Sequence, residues 1–176
     1  MKTKIVNTIL ALCCVVTHAV HAVAARAEVS EPSSLRGLKG VLVVIEDLHP
    51  DARTIELTRQ SIQDAVEDRL RDAGIRIFTV PERLADTRKP YLYVNCNVIA
   101  VPDIELTVFS IDVESHQLVT LQNGDEAVAL TWAKSYLGAQ GNERAAQKIQ
   151  DTVGELVDRF VSDFLAVNLS PLPNNG

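Results

Sequence analysis

Apolar and polar positions along this chain recur with two different periods, and the switches between them mark out the elements. Val41-Leu42-Val43-Val44-Ile45 is an unbroken apolar run between Gly40 and Glu46, the pattern of a strand buried on both faces. From Thr54 to Ala73 the period lengthens. Ile62, Val66, Leu70 and Ala73 make one stripe, and Asp64, Glu67, Asp68, Arg69, Arg71 and Asp72 supply the remainder, which predicts a helix ended by Gly74. Ile75 to Val80 alternates again as a strand, closed by Pro81. Strand, helix and strand in this spacing predict a right-handed parallel crossover.

After the polar link Glu82 to Pro90 the alternation lengthens into antiparallel strands. Tyr91 to Ala100 sets Leu92, Val94, Cys96 and Val98 against Tyr91, Tyr93, Asn95 and Asn97. Within Ile104 to Leu121, Phe109, Ile111 and Val113 alternate with Ser110, Asp112 and Glu114. Asn123-Gly124 is a strong hairpin signal. The return strand, Ala127 to Leu137, places Val128, Leu130, Trp132 and Tyr136 on one face and Ala129, Thr131, Ala133 and Ser135 on the other. Asn142 to Val167 returns to helical spacing, with a broad apolar face of Ile149, Val153, Leu156, Val157, Phe160, Val161, Phe164 and Leu165. The predicted fold class is α/β (α+β): a five-stranded mixed sheet in the order β-α-β-β-β-α, with two long helices packed on one face.

The N-terminus follows different rules. Lys2 and Lys4 precede the mostly apolar stretch Ile5 to Val16, which is too short to span a bilayer, and Ala25 and Ala27 form an A-x-A cleavage site. Residues 1–27 therefore read as a signal peptide, with Ala22 and Ala24 as an alternative site. Cys13 follows Leu12, and Cys14 follows Cys13, where a lipidated cysteine wants a small residue before it. The expected product is a soluble periplasmic or secreted protein with no stable membrane insertion after cleavage. Residues 28–39 read as a flexible leader, 40–167 as a single domain and 168–176 as a disordered tail.

Cleavage after Ala27 leaves 149 of the 176 residues. It removes Lys2, Lys4 and Arg26 from the 17 basic residues and none of the 23 acidic ones, so the net charge moves from −6 to −9. Nucleic-acid binding is not expected at that charge. Cys96 is the one cysteine that remains, so no internal disulfide is available and stability must come from packing. Its alternation with Leu92, Val94 and Val98 marks it as a small buried hydrophobe.

An exported chain with this element order resembles the N-terminal domain of TolB, and is similar to related α/β modules of envelope-assembly lipoproteins. The residues that carry the likeness are the turn leaving the first strand, the helix ending Arg71-Asp72-Ala73-Gly74-Ile75 and the long last helix. The resemblance spans roughly Val41 to Val167 and implies a non-catalytic protein–protein module of the bacterial envelope. The chain departs from it in having no convincing lipobox and no propeller segment after the domain.

Candidate chemistry is sparse. Glu46, Asp47, His49 and Asp51 gather three carboxylates and an imidazole at the carboxyl end of the first strand, where open α/β sheets place ligands. They suit a divalent cation or a general base. A turn started by Asp51, with Glu46 and His49 solvated, explains them without any ligand and is the preferred reading. Asp112, Glu114 and His116 share one face of a strand, as a metal set or as an ordinary polar surface. Lys134 and Ser135 are adjacent on a strand and point apart, so they cannot act as a nucleophile pair. Trp132 and Tyr136 join Tyr91 and Tyr93 in an aromatic patch if the sheet face away from the helices is open, and belong to the core otherwise. No catalytic constellation is present and no cofactor is expected. The leading expectation is a protein–protein interaction or assembly module of the envelope, with homodimerisation through an edge strand as a further possibility. The alternative is a small metal- or ligand-binding periplasmic protein centred on His49.

Overall fold

The computed structural model describes residues 28–30 and 32–169. The signal peptide read at 1–27 and most of the tail read at 168–176 lie outside the described residues. The chain forms a mixed α/β fold. β1 is Glu28–Ser30, β2 Leu42–Ile45, β3 Tyr91–Val101, β4 Leu106–Thr120 and β5 Glu126–Gly141. The helices are α1 Arg59–Asp72, the short α2 Val80–Ala85 and the long α3 Asn142–Asn168. The hydrogen-bonded order is β1-β5-β4-β3-β2, with β2 and β3 parallel and the other neighbours antiparallel.

Four of the five strands read from the sequence form, and the fifth does not. Ile75 to Val80 makes a single bridge, Val41 to Ile77, in place of a strand. The cause is local: the Thr79 side chain accepts from the Glu82 N–H while the Glu82 side chain accepts from the Thr79 N–H. This capping box, with Pro81 in the first turn, starts α2 where a strand would otherwise run on. The parallel crossover therefore lands on β3. At the other edge, β1 pairs with Lys134, Ala133 and Trp132 of β5. That segment had been expected to be a flexible leader. The short turn Pro32–Leu35 after it buries Leu35, so this stretch is built into the fold.

The first long helix is also shorter than its stripe suggested. Pro50–Ile55 forms a separate 3-10 turn, and α1 starts only after Thr58, whose hydroxyl accepts from the Ser61 N–H at 3.0 Å. Ile62, Val66 and Leu70 of α1 join Ile149, Val153, Leu156, Val157, Phe160 and Phe164 of α3 over one sheet face. From below they meet Val43 and Ile45, Leu92, Val94, Cys96 and Val98, and Phe109, Ile111 and Val113.

Gly40 is required where β2 begins. Val41 donates to the Arg76 carbonyl at 3.0 Å and accepts from Phe78 at 2.8 Å, which draws the Arg76 backbone against Gly40. A β-carbon at residue 40 would overlap that carbonyl. Gly40→Ala should lower unfolding free energy by about 2–4 kcal/mol in denaturant titration. The open position Gly124, in the β4–β5 turn, should lose less than half as much.

Candidate interaction face

Strand alternation sends β3 side chains to two environments. Leu92, Val94, Cys96 and Val98 lie under the helices, and Tyr91, Tyr93, Asn95, Asn97 and Ile99 line the opposite face. Among the described residues the two long helices pack on the first face, and the short α2 reaches the second only through Arg83, whose Cζ lies 6.0 Å from the centre of the Tyr91 ring. In β4, Asp112, Glu114 and His116 fall on it, as their spacing predicted, and register brings Leu42, Tyr91, His116 and Leu130 into one row across four strands.

β5 departs from its sequence pattern. A register shift between Ser115 and His116 leaves Thr131 as an extra residue, because Ser115 pairs with Trp132 and His116 with Leu130. Such a bulge reverses the facing of every residue beyond it. Val128 and Leu130 therefore face outward, 50 % and 40 % exposed, while Trp132 turns under α3 and is fully buried. Side chains hold the bulge. Gln117 Nε2 donates to Thr131 Oγ1 at 2.6 Å and to the Ser34 carbonyl at 3.0 Å, and Ser34 Oγ donates to the Thr131 carbonyl at 2.9 Å.

The four expected aromatics are accordingly divided. Trp132 stacks edge-on against Phe160 with centroids 5.2 Å apart, and its indole N–H donates to Asp163 Oδ2 at 2.9 Å. Tyr136 is half-buried against Phe109, its ring lying over Gly138, with Lys148 Nζ 5.8 Å from its centroid. Both belong to the helix side. Tyr91 and Tyr93 remain on the open face, around His116: the Tyr91 ring stacks on it at 4.8 Å and Tyr93 meets it edge-on at 6.0 Å. His116 Nε2 lies 2.8 Å from Glu114 Oε2. Tyr93 Oη donates to Glu46 Oε2 at 2.5 Å. That bond, then burial and the charges of Glu46 and Glu114, push the Tyr93 phenol up to about 12.

The other members of the His49 segment do not converge with Glu46. The exposed Asp47 lies 3.9 Å from Arg59. His49 Nδ1 accepts from the Asp51 N–H at 3.3 Å, at the head of the 3-10 turn. Asp51 Oδ2 accepts from Ala100 N–H at 3.0 Å and caps the free edge of β3. His49 and Asp51 do meet, Nδ1 lying 3.5 Å from Oδ1, while Glu46 and Asp47 serve other contacts, and among the described residues no group of three or more His, Cys, Asp or Glu is placed to hold a metal. Cys96 is buried, and burial, with Asp112 nearby, pushes its thiol up to about 12.

The exposed aliphatics Ile99, Val128, Leu130 and Leu137 complete the open face. Sequence pattern had put Val128 and Leu130 beside Trp132. The bulge that separates them involves Thr131, a residue with no special backbone signature, so nothing in the sequence announced it.

No protein-family model matches the chain, and no curated protein matches it. Among solved structures it is similar to a PelC dodecamer from Paraburkholderia phytofirmans, at 16 % identity and a TM-score of 0.43, over 80 % of this chain and 96 % of that one. It is also similar to the rare lipoprotein B from Shewanella oneidensis, at 12 % identity and a TM-score of 0.32, over 71 % of this chain and 94 % of that one. At such scores function rests on the geometry of the open face, not on these likenesses. Among the described residues no helix is long and apolar enough to cross a membrane.

Trp132→Ala should cost about 3–5 kcal/mol of stability, as loss of a buried aromatic does, whereas Tyr93→Ala should cost about 1 kcal/mol or less. Equal losses in thermal or urea unfolding would contradict the division of the aromatics. In alkaline titration followed by tyrosinate absorbance, one of the three tyrosines should ionise near 12, and Tyr93→Phe should remove that step. Because the folded-state value is raised, the contribution of protonated Tyr93 is complete below the ordinary tyrosine range near about 10. It is lost as pH rises through about 12.

Proposed function

We propose that this chain is an exported, non-catalytic protein–protein interaction module of the bacterial envelope that engages its partner through the open face of the sheet. One observation carries the reading: among the described residues, the two long helices pack on one side of the sheet. The other side presents Ile99, Val128, Leu130 and Leu137, at 59 %, 50 %, 40 % and 45 % exposure, around the polar cluster of Tyr91, Tyr93, Glu46, Glu114 and His116. Aliphatic and aromatic side chains beside satisfied polar groups make up the centre and rim of a docking surface. Tyr93 and His116 are already held by Glu46 and Glu114, so a partner would meet ordered side chains and little entropy would be lost on binding. The charge pattern and A-x-A site of residues 1–27 support export.

A photo-cross-linking side chain placed at Leu130 should give one adduct of discrete mass in cells expressing the exported chain. The same probe at Asp68, on the outer surface of α1, should give none. Absence of an adduct from Leu130, or equal labelling from both positions, contradicts the reading. N-terminal sequencing of the exported protein should begin at Glu28.

A further inference from the structure

The charges of the sheet are sorted by face. Strands β2 to β5 contain a single Lys or Arg, Lys134, and its pairing with Val113 puts it on the helix side, where it lines a groove with Glu155 and Asp158. The open face takes the carboxylates: Asp112, Glu114 and Glu126 from the strands, and Glu46 from just beyond β2. Elsewhere among the described residues arginines neutralise acids one by one, as Arg59 does Asp47, Arg69 does Asp158 and Arg76 does Glu82. On the open face Glu46 takes the Tyr93 hydroxyl and Glu114 faces His116. The carboxylate of the half-buried Asp112 has no hydrogen bond or ion pair among the described residues. Arg83 of α2 approaches this face at the Tyr91 ring.

Asp112 and Glu114 also border a depression. Across the ladder they meet Ser135 and Ala133, two small residues, and the next outward residues of β5 are Leu137 on one side and Leu130 on the other. Two short side chains between two long ones leave a shallow seat, walled on the β4 side by carboxylates about 7 Å apart along the strand.

We propose that the partner of the open face meets this seat with a basic amphipathic segment. A Lys or Arg side chain passes between Leu130 and Leu137 to Asp112 and Glu114, with aliphatic residues of the partner on either side of it. The methylene stem of either residue suits the leucines, and its head supplies the charge that the carboxylates lack. The surrounding aliphatic groups exclude water, so a pair formed there contributes more than an exposed surface pair. A second copy of this chain is a poor occupant, because two such faces would bring like charges together, and an anionic lipid surface is repelled for the same reason. The proposal rests on the open-face reading and adds the chemistry of what occupies that face.

The photo-cross-linking side chain at Leu130, itself bulky and apolar, tests both. Reversing one charge in the seat, Asp112→Lys, should lower the yield of the discrete adduct at least about tenfold. The same reversal at Asp68, on α1, should leave the yield unchanged, and circular dichroism of both variants should match that of the parent. If Asp112→Lys fails to fold, the near-isosteric double variant Asp112→Asn with Glu114→Gln decides, with the same loss expected. Mass spectrometry of the digested adduct should place the cross-link in a partner peptide that carries Lys or Arg between aliphatic residues. An adduct whose yield survives these charge changes, or one formed with an acidic peptide or with this chain itself, overturns the basic segment alone. A lipid adduct, or no adduct from Leu130 in any variant, overturns the open-face reading with it.

Discussion

Trp132 can reach Phe160 because β5 carries one residue more than β4 opposite it. Without Thr131 in its bulge, the largest side chain of the fold would stand on the uncovered face and Ala133 would lie under α3 in its place. A tryptophan buried under a helix contributes several times what an alanine does, and its N–H requires the partner that Asp163 supplies. The bulge is held in turn by Gln117 and Ser34, so the turn Pro32–Leu35 helps to determine how the sheet meets its helix. One inserted residue thereby links the N-terminal segment, the central hairpin and the last helix.

What lies on the open face follows from that seating. Once Trp132 and Tyr136 are committed to the core side, the outward positions of lower β5 fall to Val128 and Leu130, and the aromatic content outside reduces to Tyr91 and Tyr93. These two are tied to neighbours through His116, Glu114 and Glu46. Because the phenol proton is held by a carboxylate, the face presents an ordered polar centre between aliphatic ends.

The ends of the described chain are tied together as well. Asn168, at the close of α3, donates to the Leu35 carbonyl at 3.0 Å and accepts from the Gly37 N–H at 2.7 Å. With β1 on the edge of β5, the segment before β2 closes one side of the core. With no disulfide available to the described residues, these contacts and the packed core carry the fold together.

The sequence by itself determined the elements whose signals are local and periodic. The stripe Ile62, Val66, Leu70, the broad apolar face of α3 and the alternation through β3 and β4 all appear where the pattern placed them, because each is a one-dimensional record of which side must leave water. A local signal was also present and outweighed the alternation at Thr79-Val80-Pro81-Glu82, where a capping box begins a helix. Only the tertiary structure decided the rest. The partner of β2 is β3, the capping of the β3 edge is the work of Asp51, and the outward face of β5 depends on Thr131. Each is settled by segments 14 to 97 residues apart that meet only when the sheet closes, and such contacts leave no period in the chain.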